Sequence, residues 1–218
     1  MSVTLGGAPE FVLWDDRKKT VVPLDNILFF EHPDGDVGQD GCPRIGEFRF
    51  PPVMRPEEVA PLIKERMKIL FDKLDKKFSP NHFQVRGGTW FLSEEGMSYP
   101  LGGHIHFGHP AFLQTTPYNM YNINKAVLYR LLQGLDKYLA IPFAAVENPK
   151  SARMRRGCGY GISGIHGVWK KQDWGIEYKT LFSWIQSPML TNAAFGLAWL
   201  ISNEVLNLDN NNWDCPKT

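Results

Sequence analysis

The stretch GGHIHFG, residues 102–108, decides how the rest of the chain is read. Two imidazoles, His104 and His106, stand two residues apart, with Ile105 and Phe107 between and after them. Successive side chains on a β-strand point to opposite faces. A strand over GHIHF (103–107) therefore shows one apolar face and one face of histidines.

Three other segments repeat that design. In EFVLW (10–14), Phe11 and Leu13 oppose Glu10. In GEFRF (46–50), Phe48 and Phe50 oppose Glu47 and Arg49, and in GIEYKTLF (175–182), Ile176 and Tyr178 oppose Glu177 and Lys179. Two further strands are expected at NILFF (26–30) and FQVRGGTWF (83–91). Four strands thus share an apolar face and a face rich in carboxylate and imidazole. A bland solvent face would scatter Thr, Ser and Lys instead. Carboxylates gathered together repel and raise one another's pKa unless cations sit between them, and oxygen and imidazole donors suit divalent metals. A divalent-metal site is the economical reading, provided these strands are neighbours. Singly, each feature has a plain explanation: an HxH pair by chance, a surface Glu10, a solvated Glu177–Lys179 pair.

Three amphipathic helices are expected to cover the apolar face. The first begins near RPEEV and ends at Lys77, with Val59, Ile63, Met67, Leu70 and Leu74 on one stripe; Pro61 fits only in its first turn. The second runs from about Asn119 to Leu139, with Ile123, Val127, Leu131, Leu135 and Leu139 in register. The third follows Pro188, with Leu190, Ala194, Leu197, Ile201 and Val205 on one side. RRGCGYGISGIHG (155–167) reads as an irregular, close-fitting loop, and Arg153, Arg155 and Arg156 as either a solvated basic patch or a phosphate fork.

Composition sets outer bounds. The 218 residues are 43% hydrophobic and 22% charged, as in a globular domain, and the formal net charge of +1 argues against a general nucleic-acid or acidic-membrane binder. No stretch approaches the roughly 18 apolar residues of a membrane span. The opening MSVTLGGAPEF has no basic segment leading into an apolar one, so no signal peptide is expected. Cys42, Cys158 and Cys215, odd in number and far apart, read as reduced thiols in a cytoplasmic protein. The P-loop, HExxH and GxSxG templates are absent, no GxGxxG follows a strand and opens a helix, and GHPAF stands where a cupin-type HxH would carry its Glu.

In order, GGAPEFVLWD, IGEFRFPP, GGHIHFG, RRGCGYG and GIEYKTLFSWIQSP resemble the glutamine synthetase-like amidoligases, specifically their short phage-type COOH-NH2 ligase group. That resemblance spans roughly 6 to 188. It implies an α+β fold forming one domain over 1–218: a curved antiparallel sheet with a metal and ATP groove on one face and helices on the other. It implies ATP-dependent joining of a carboxylate to an amine, with Mg²⁺ (or Mn²⁺), on small-molecule or peptide substrates, in the cytoplasm (the host's, if the gene is a phage's). Assembly into a homo-oligomer is left open, and no nucleic-acid or membrane partner is expected. Residue by residue, it implies metal ligation by Glu10, Glu47, His104 and Glu177, with Glu177 beside the transferred phosphoryl group. His106 would meet phosphate or substrate, as would Arg153, Arg155, Arg156 and Lys179, with Gly157 and Gly159 giving phosphates close backbone approach. Asp40 is a further candidate ligand. Trp90, Trp174 and Trp184 are candidates for pocket walls.

The chain departs from the family pattern at Ala8, where an acid is usual, and at Lys179, where an Arg is usual. Two other readings stay open on the residues alone. One is a metal-dependent hydrolase or oxygenase using His104, His106 and a Glu. The other is a non-catalytic, ATP-binding remnant of the ligase fold, which Ala8 favours.

Overall fold

A computed structural model describes residues 2–25, 36–78, 82–94, 96–115, 121–157 and 167–207. The expected strand at 26–30 lies outside them. The main sheet is built on β1 (Thr4–Asp15), the longest strand. Along the chain follow β2 (Thr20–Val21), β3 (Val37–Asp40), β4 (Cys42–Phe48), a 3₁₀ turn (Pro56–Glu58) and α1 (Val59–Lys77). Next come β5 (Phe83–Arg86), β6 (Trp90–Leu92), β7 (Ser98–Pro100), β8 (Gly103–Gly108), β9 (Leu113–Thr115) and β10 (Tyr121–Ile123). The chain continues through α2 (Lys125–Leu135), a π-helical turn (Asp136–Ala140), α3 (Ile141–Val146) and α4 (Pro149–Gly157). It closes with β11 (Trp169–Gln172), β12 (Gly175–Tyr178) and α5 (Pro188–Asn207).

Among the described residues every strand pairing is antiparallel, and the main order is β11-β12-β8-β1-β4-β3, with β2 and β5 pairing the far half of β1. The four strands that share the sequence design are therefore consecutive neighbours: β12, β8, β1 and β4. Their apolar residues Leu5, Phe11, Phe48, Ile105, Phe107 and Ile176 are fully buried. They join one core with Ile63, Leu70 and Leu74 of α1, Leu128 and Leu131 of α2, and Ala194 and Phe195 of α5. The fold is thus mixed α and β, with an antiparallel sheet and packed helices.

Several expectations need correction. β1 begins at Thr4, not Glu10, because Gly6, Gly7 and Pro9 read as breakers in sequence but fit here. Gly7 is where α5 and the neighbouring strand press onto β1: a Cβ there would stand 2.9 Å from Phe195 and 3.0 Å from the His104 carbonyl oxygen. The segment 83–91 is two strands, split at Gly87-Gly88, and Gly88 has φ +121°. β6 and β7 pair with each other as a separate hairpin.

The second helix starts at Lys125, not near Asn119. Tyr121–Ile123 pairs with β9 instead, and the Asn124 side chain caps the helix by accepting from the Val127 N–H. The third helix buries Thr191, Ala194, Phe195, Ala198, Ser202 and Val205, so its stripe is rotated towards small residues that allow close packing. The Arg153–Arg156 run is no loop but part of α4. Trp184 is a core residue rather than a pocket wall, with its ring edge-on to Phe195 at 4.9 Å. Among the described residues, no helix is long and apolar enough to cross a membrane.

Candidate functional site

Register brings the polar residues of four strands together. Glu10 pairs with Glu47, Ala8 with His104, and His106 with both Gly6 and Glu177. Because antiparallel partners share a face, Glu177, His104, His106, Glu10 and Glu47 lie side by side across β12, β8, β1 and β4.

His104 links the two ends of this row. Its ring is almost completely buried, with Nδ1 3.1 Å from Glu177 Oε1 and Nε2 3.5 Å from Glu10 Oε1. Nδ1 donates to Glu177, and Nε2 has no hydrogen-bond partner. A neutral imidazole in that tautomer aims a lone pair at Glu10, and donation of the other ring N–H to a carboxylate is how metal-binding histidines are usually oriented.

At the β12 end, Glu177 is surrounded by donors. Gln172 Nε2 donates to Glu177 Oε2 at 2.8 Å, and Lys179 Nζ and His106 Nε2 stand 3.6 and 4.0 Å from Oε1. Burial works against its charge, but the His104 hydrogen bond and the nearby His104, Lys179 and His106 hold its carboxyl well below the usual range. Burial pushes His106 down to about 4. Its ring stacks obliquely on Trp174, with centroids 4.9 Å apart.

At the β4 end the balance reverses. Glu10 Oε2 accepts the Gly102 N–H at 2.6 Å. Burial, then a hydrogen bond with Asp40 and its charge, and finally Glu47, push the Glu10 carboxyl up to about 9. Burial also raises Glu47, although Arg49 Nε donates to it at 2.7 Å and opposes the shift. Asp40 reaches Glu10 from a tight turn, Asp40-Gly41-Cys42, where the β3–β4 register slips and Gly41 takes φ +62°.

Beside Glu10 and Asp40 lies a cavity of about 400 Å³. Ile45, Met97, Tyr99 and Leu101 supply its apolar wall, and Arg155 and Lys179 supply cationic groups. Arg155 is itself buried. It donates to Glu147 at 3.3 Å and to the carbonyls of Leu181 and Thr180 at 3.3 and 3.1 Å, which ties α4 to the chain just after Lys179. Arg153 is exposed on α4. Arg156 lies on the same helix and Gly157 ends it, while Gly159 lies outside the described residues.

The donor set is chemically suited to a hard divalent cation: carboxylates from Glu10, Asp40 and Glu47 with an unpaired imidazole nitrogen. As the side chains stand, no three His, Cys, Asp or Glu among the described residues converge closely enough to hold an ion. The raised Glu10 and Glu47 carboxyls are nonetheless what an arriving cation would relieve.

A family model described as "Phage phiEco32-like COOH.NH2 ligase-type 2" matches residues 5–218. The chain belongs to that family. Among curated proteins none matches. A solved structure titled "Crystal structure of novel glutamine synthase homolog" aligns with 96% of this chain and 57% of its own, at 11% identity and a TM-score of 0.47. The chain thus spans little more than half the length of that protein.

In this COOH·NH2 ligase-type chain, strand alternation alone places Glu10, Glu47, His104, His106, Glu177 and Lys179 on polar faces. Alternation does not mark Gln172, which steadies Glu177, or Glu147, which pairs with Arg155. Gln172 carried a usable signal: it sits five residues before Glu177, across a Gly-containing hairpin turn. Glu147 carried none, since its role depends on how two short helices meet.

Proposed function

We propose that the protein is an ATP- and Mg²⁺-dependent carboxylate-amine ligase that activates a carboxylate as an acyl phosphate and couples it to an amine. One observation carries the reading: the register that puts Glu10 across from Glu47, and Glu177 across from His106, with His104 between them on one sheet face. Membership of a COOH·NH2 ligase-type family supports the reaction class.

A carboxylate is a poor electrophile. Attack of its oxygen on the γ-phosphorus of ATP releases ADP and leaves an acyl phosphate. A neutral amine then attacks the carbonyl carbon, phosphate leaves, and the nitrogen loses a proton. When bound, Mg²⁺ (or Mn²⁺) supplies charge neutralisation for the phosphate oxygens. Glu10, Glu47 and His104 Nε2 would hold it, with Asp40 beside them and Glu177 on the phosphoryl side. Lys179 offers its ammonium to phosphate or carboxylate oxygens as a point charge, without the bidentate fork of an arginine. Burial keeps His106 neutral near pH 7, so it accepts or donates a single hydrogen bond there without adding positive charge. The cavity beside Glu10 offers the non-nucleotide substrate an apolar wall and a cationic end.

The test is ADP release from ATP and Mg²⁺ with mixed carboxylate and amine pools. Release that needs both pools, and that Glu47→Gln abolishes, is expected. No release under any mixture, with wild type and Glu47→Gln alike, would sink the ligase reading.

A further inference from the structure

The face of the sheet that bears the acidic row also carries a small core of its own. Val12 and Trp14 follow Glu10 by alternation along β1, so they share its face. With Tyr99 of β7 and Leu101 just after it, they form a buried cluster separate from the main core, and Ile45 and Phe91 pack against it. The β6–β7 hairpin is pinned to the sheet there. The Trp14 and Phe91 rings meet edge-on at 5.3 Å, and the Arg86 guanidinium stands 4.8 and 5.5 Å from their centroids.

The edge of this second core is the apolar wall of the cavity beside Glu10. Tyr99 and Leu101 belong to both. Ile45 and Met97 extend the wall, and Met97 is 52% exposed. The hairpin tip fixes Met97: its N–H donates to the Ser93 hydroxyl at 3.2 Å, and its carbonyl accepts the Ser93 N–H at 2.8 Å. Among the described lining residues, the cations are Arg155 and Lys179. They come from α4 and from the residue after β12, whereas Ile45 lies on β4, and β8 and β1 separate those two strands. The cavity is therefore cationic towards β12 and apolar towards the hairpin.

We propose that this cavity selects an acid with a single carboxylate and a large apolar body, aromatic or branched aliphatic, seated against Ile45, Met97, Tyr99 and Leu101 with its carboxylate towards Lys179. The proposal rests on the ligase reading above and adds the class of acid that is activated. A second acid group at the far end of the substrate would meet the apolar wall or the Asp40 carboxylate, with no described cation to receive it, and burying an unpaired charge is costly. A very short acid would leave the wall unfilled. At about 400 Å³ the cavity falls within the roughly 300–1,000 Å³ of small-molecule sites, which leaves room for an aromatic ring. Holding the hairpin down accounts for burying Tyr99 and Leu101. It accounts neither for the half-exposed Met97 nor for an open apolar wall that faces two cations.

The test is calorimetric binding of 4-phenylbutyrate and of glutarate, each with Mg²⁺, to wild type, Met97→Lys, Met97→Leu and Leu92→Lys, with ADP release measured for each acid in a mixed amine pool. Leu92 is 58% exposed on the same hairpin and is not among the residues that line the cavity. Wild type is expected to bind 4-phenylbutyrate about tenfold or more tightly than glutarate. Met97→Lys is expected to narrow or invert that ratio, Met97→Leu to keep it, and Leu92→Lys to leave it unchanged. Equal affinity for the two acids in wild type, tighter glutarate binding, or no binding of either would overturn the proposal, and ADP release with other acids would then keep the ligase reading. An equal loss in Leu92→Lys would mean a general effect on the hairpin and would overturn it as well. Selective binding of 4-phenylbutyrate without ADP release in any mixture would sink the ligase reading and leave the apolar-acid site standing.

Discussion

The two ends of the acidic row hold the same kind of side chain in opposite states. At the β12 end, Glu177 is ringed by Gln172, His104, Lys179 and His106, and stays charged despite burial. At the β4 end, Glu10 faces Asp40 and Glu47, and its carboxyl is driven up to about 9. Burial pushes both carboxyls up; at Glu10 the acidic neighbours add to that push, whereas at Glu177 the neighbouring donors reverse it. One end has its counter-charges built into the protein. The other is arranged to be completed by something positive.

The sharpest way to break this comparison is to neutralise one carboxylate at each end. Glu177→Gln strips a buried partner from His104 and Lys179, and about 3 kcal/mol of stability should go with it in thermal or urea unfolding. Glu10→Gln removes a group already protonated in the metal-free fold, so stability there should stay level or rise. Both variants should lower ADP release by about a hundredfold or more. Equal destabilisation by the two would show that the ends do not differ.

The alkaline slope comes next. The Glu10 pKa is raised, so the metal-free fold keeps its proton after the unfolded chain has lost it. Its contribution is full below the ordinary carboxylate value near 4.5 and is lost as pH rises towards about 9. Melting temperature without metal should fall across that window. Glu10→Gln should flatten the fall, and added Mg²⁺ should reverse it in wild type. A flat wild-type profile would remove the charge argument for a cation at that end.

The acid side runs the other way. Glu177 and His106 are both lowered, so their contributions are present above their ordinary values and are lost as pH falls. For His106 the window runs from 6.5 down to about 4. His106→Asn should remove that part of the acid loss in a pH series of unfolding curves, with the Glu177 part persisting below it.

The smallest effect is expected at Lys179, whose side chain is a quarter exposed. Lys179→Met should cost no more than about 1 kcal/mol in unfolding. Its effect on ADP release should exceed that share, and Lys179→Arg should keep or raise activity by restoring the bidentate fork. A large stability loss in Lys179→Met would make it a structural prop of Glu177.

Legibility in the sequence followed locality. Alternation along GHIHF or GEFRF depends only on the pleat, so the face of Glu10, Glu47, His104 and Glu177 was readable residue by residue. Three things were not. The first half of β1 hides behind Gly6, Gly7 and Pro9, which make sense only once Phe195 and the neighbouring strand press upon them. Tyr121–Ile123 looks helical by spacing yet is claimed by β9. Arg155 reads in sequence as part of a basic run, and only the fold shows that it donates to Glu147 and two carbonyls while lining the cavity.

The sequence by itself determined which side chains are polar, which apolar, and which share a face, because strand geometry turns spacing of two into sidedness. Tertiary structure alone decided that β12, β8, β1 and β4 are neighbours and in which register. That register sets Ala8 across from His104, gives Glu177 its donors and leaves Glu10 among acids. The physical reason is range: facing is fixed over about 3 Å of rise per residue, whereas the charge state of a buried carboxylate depends on groups as far as 92 residues away along the chain, as Gly102 is from Glu10.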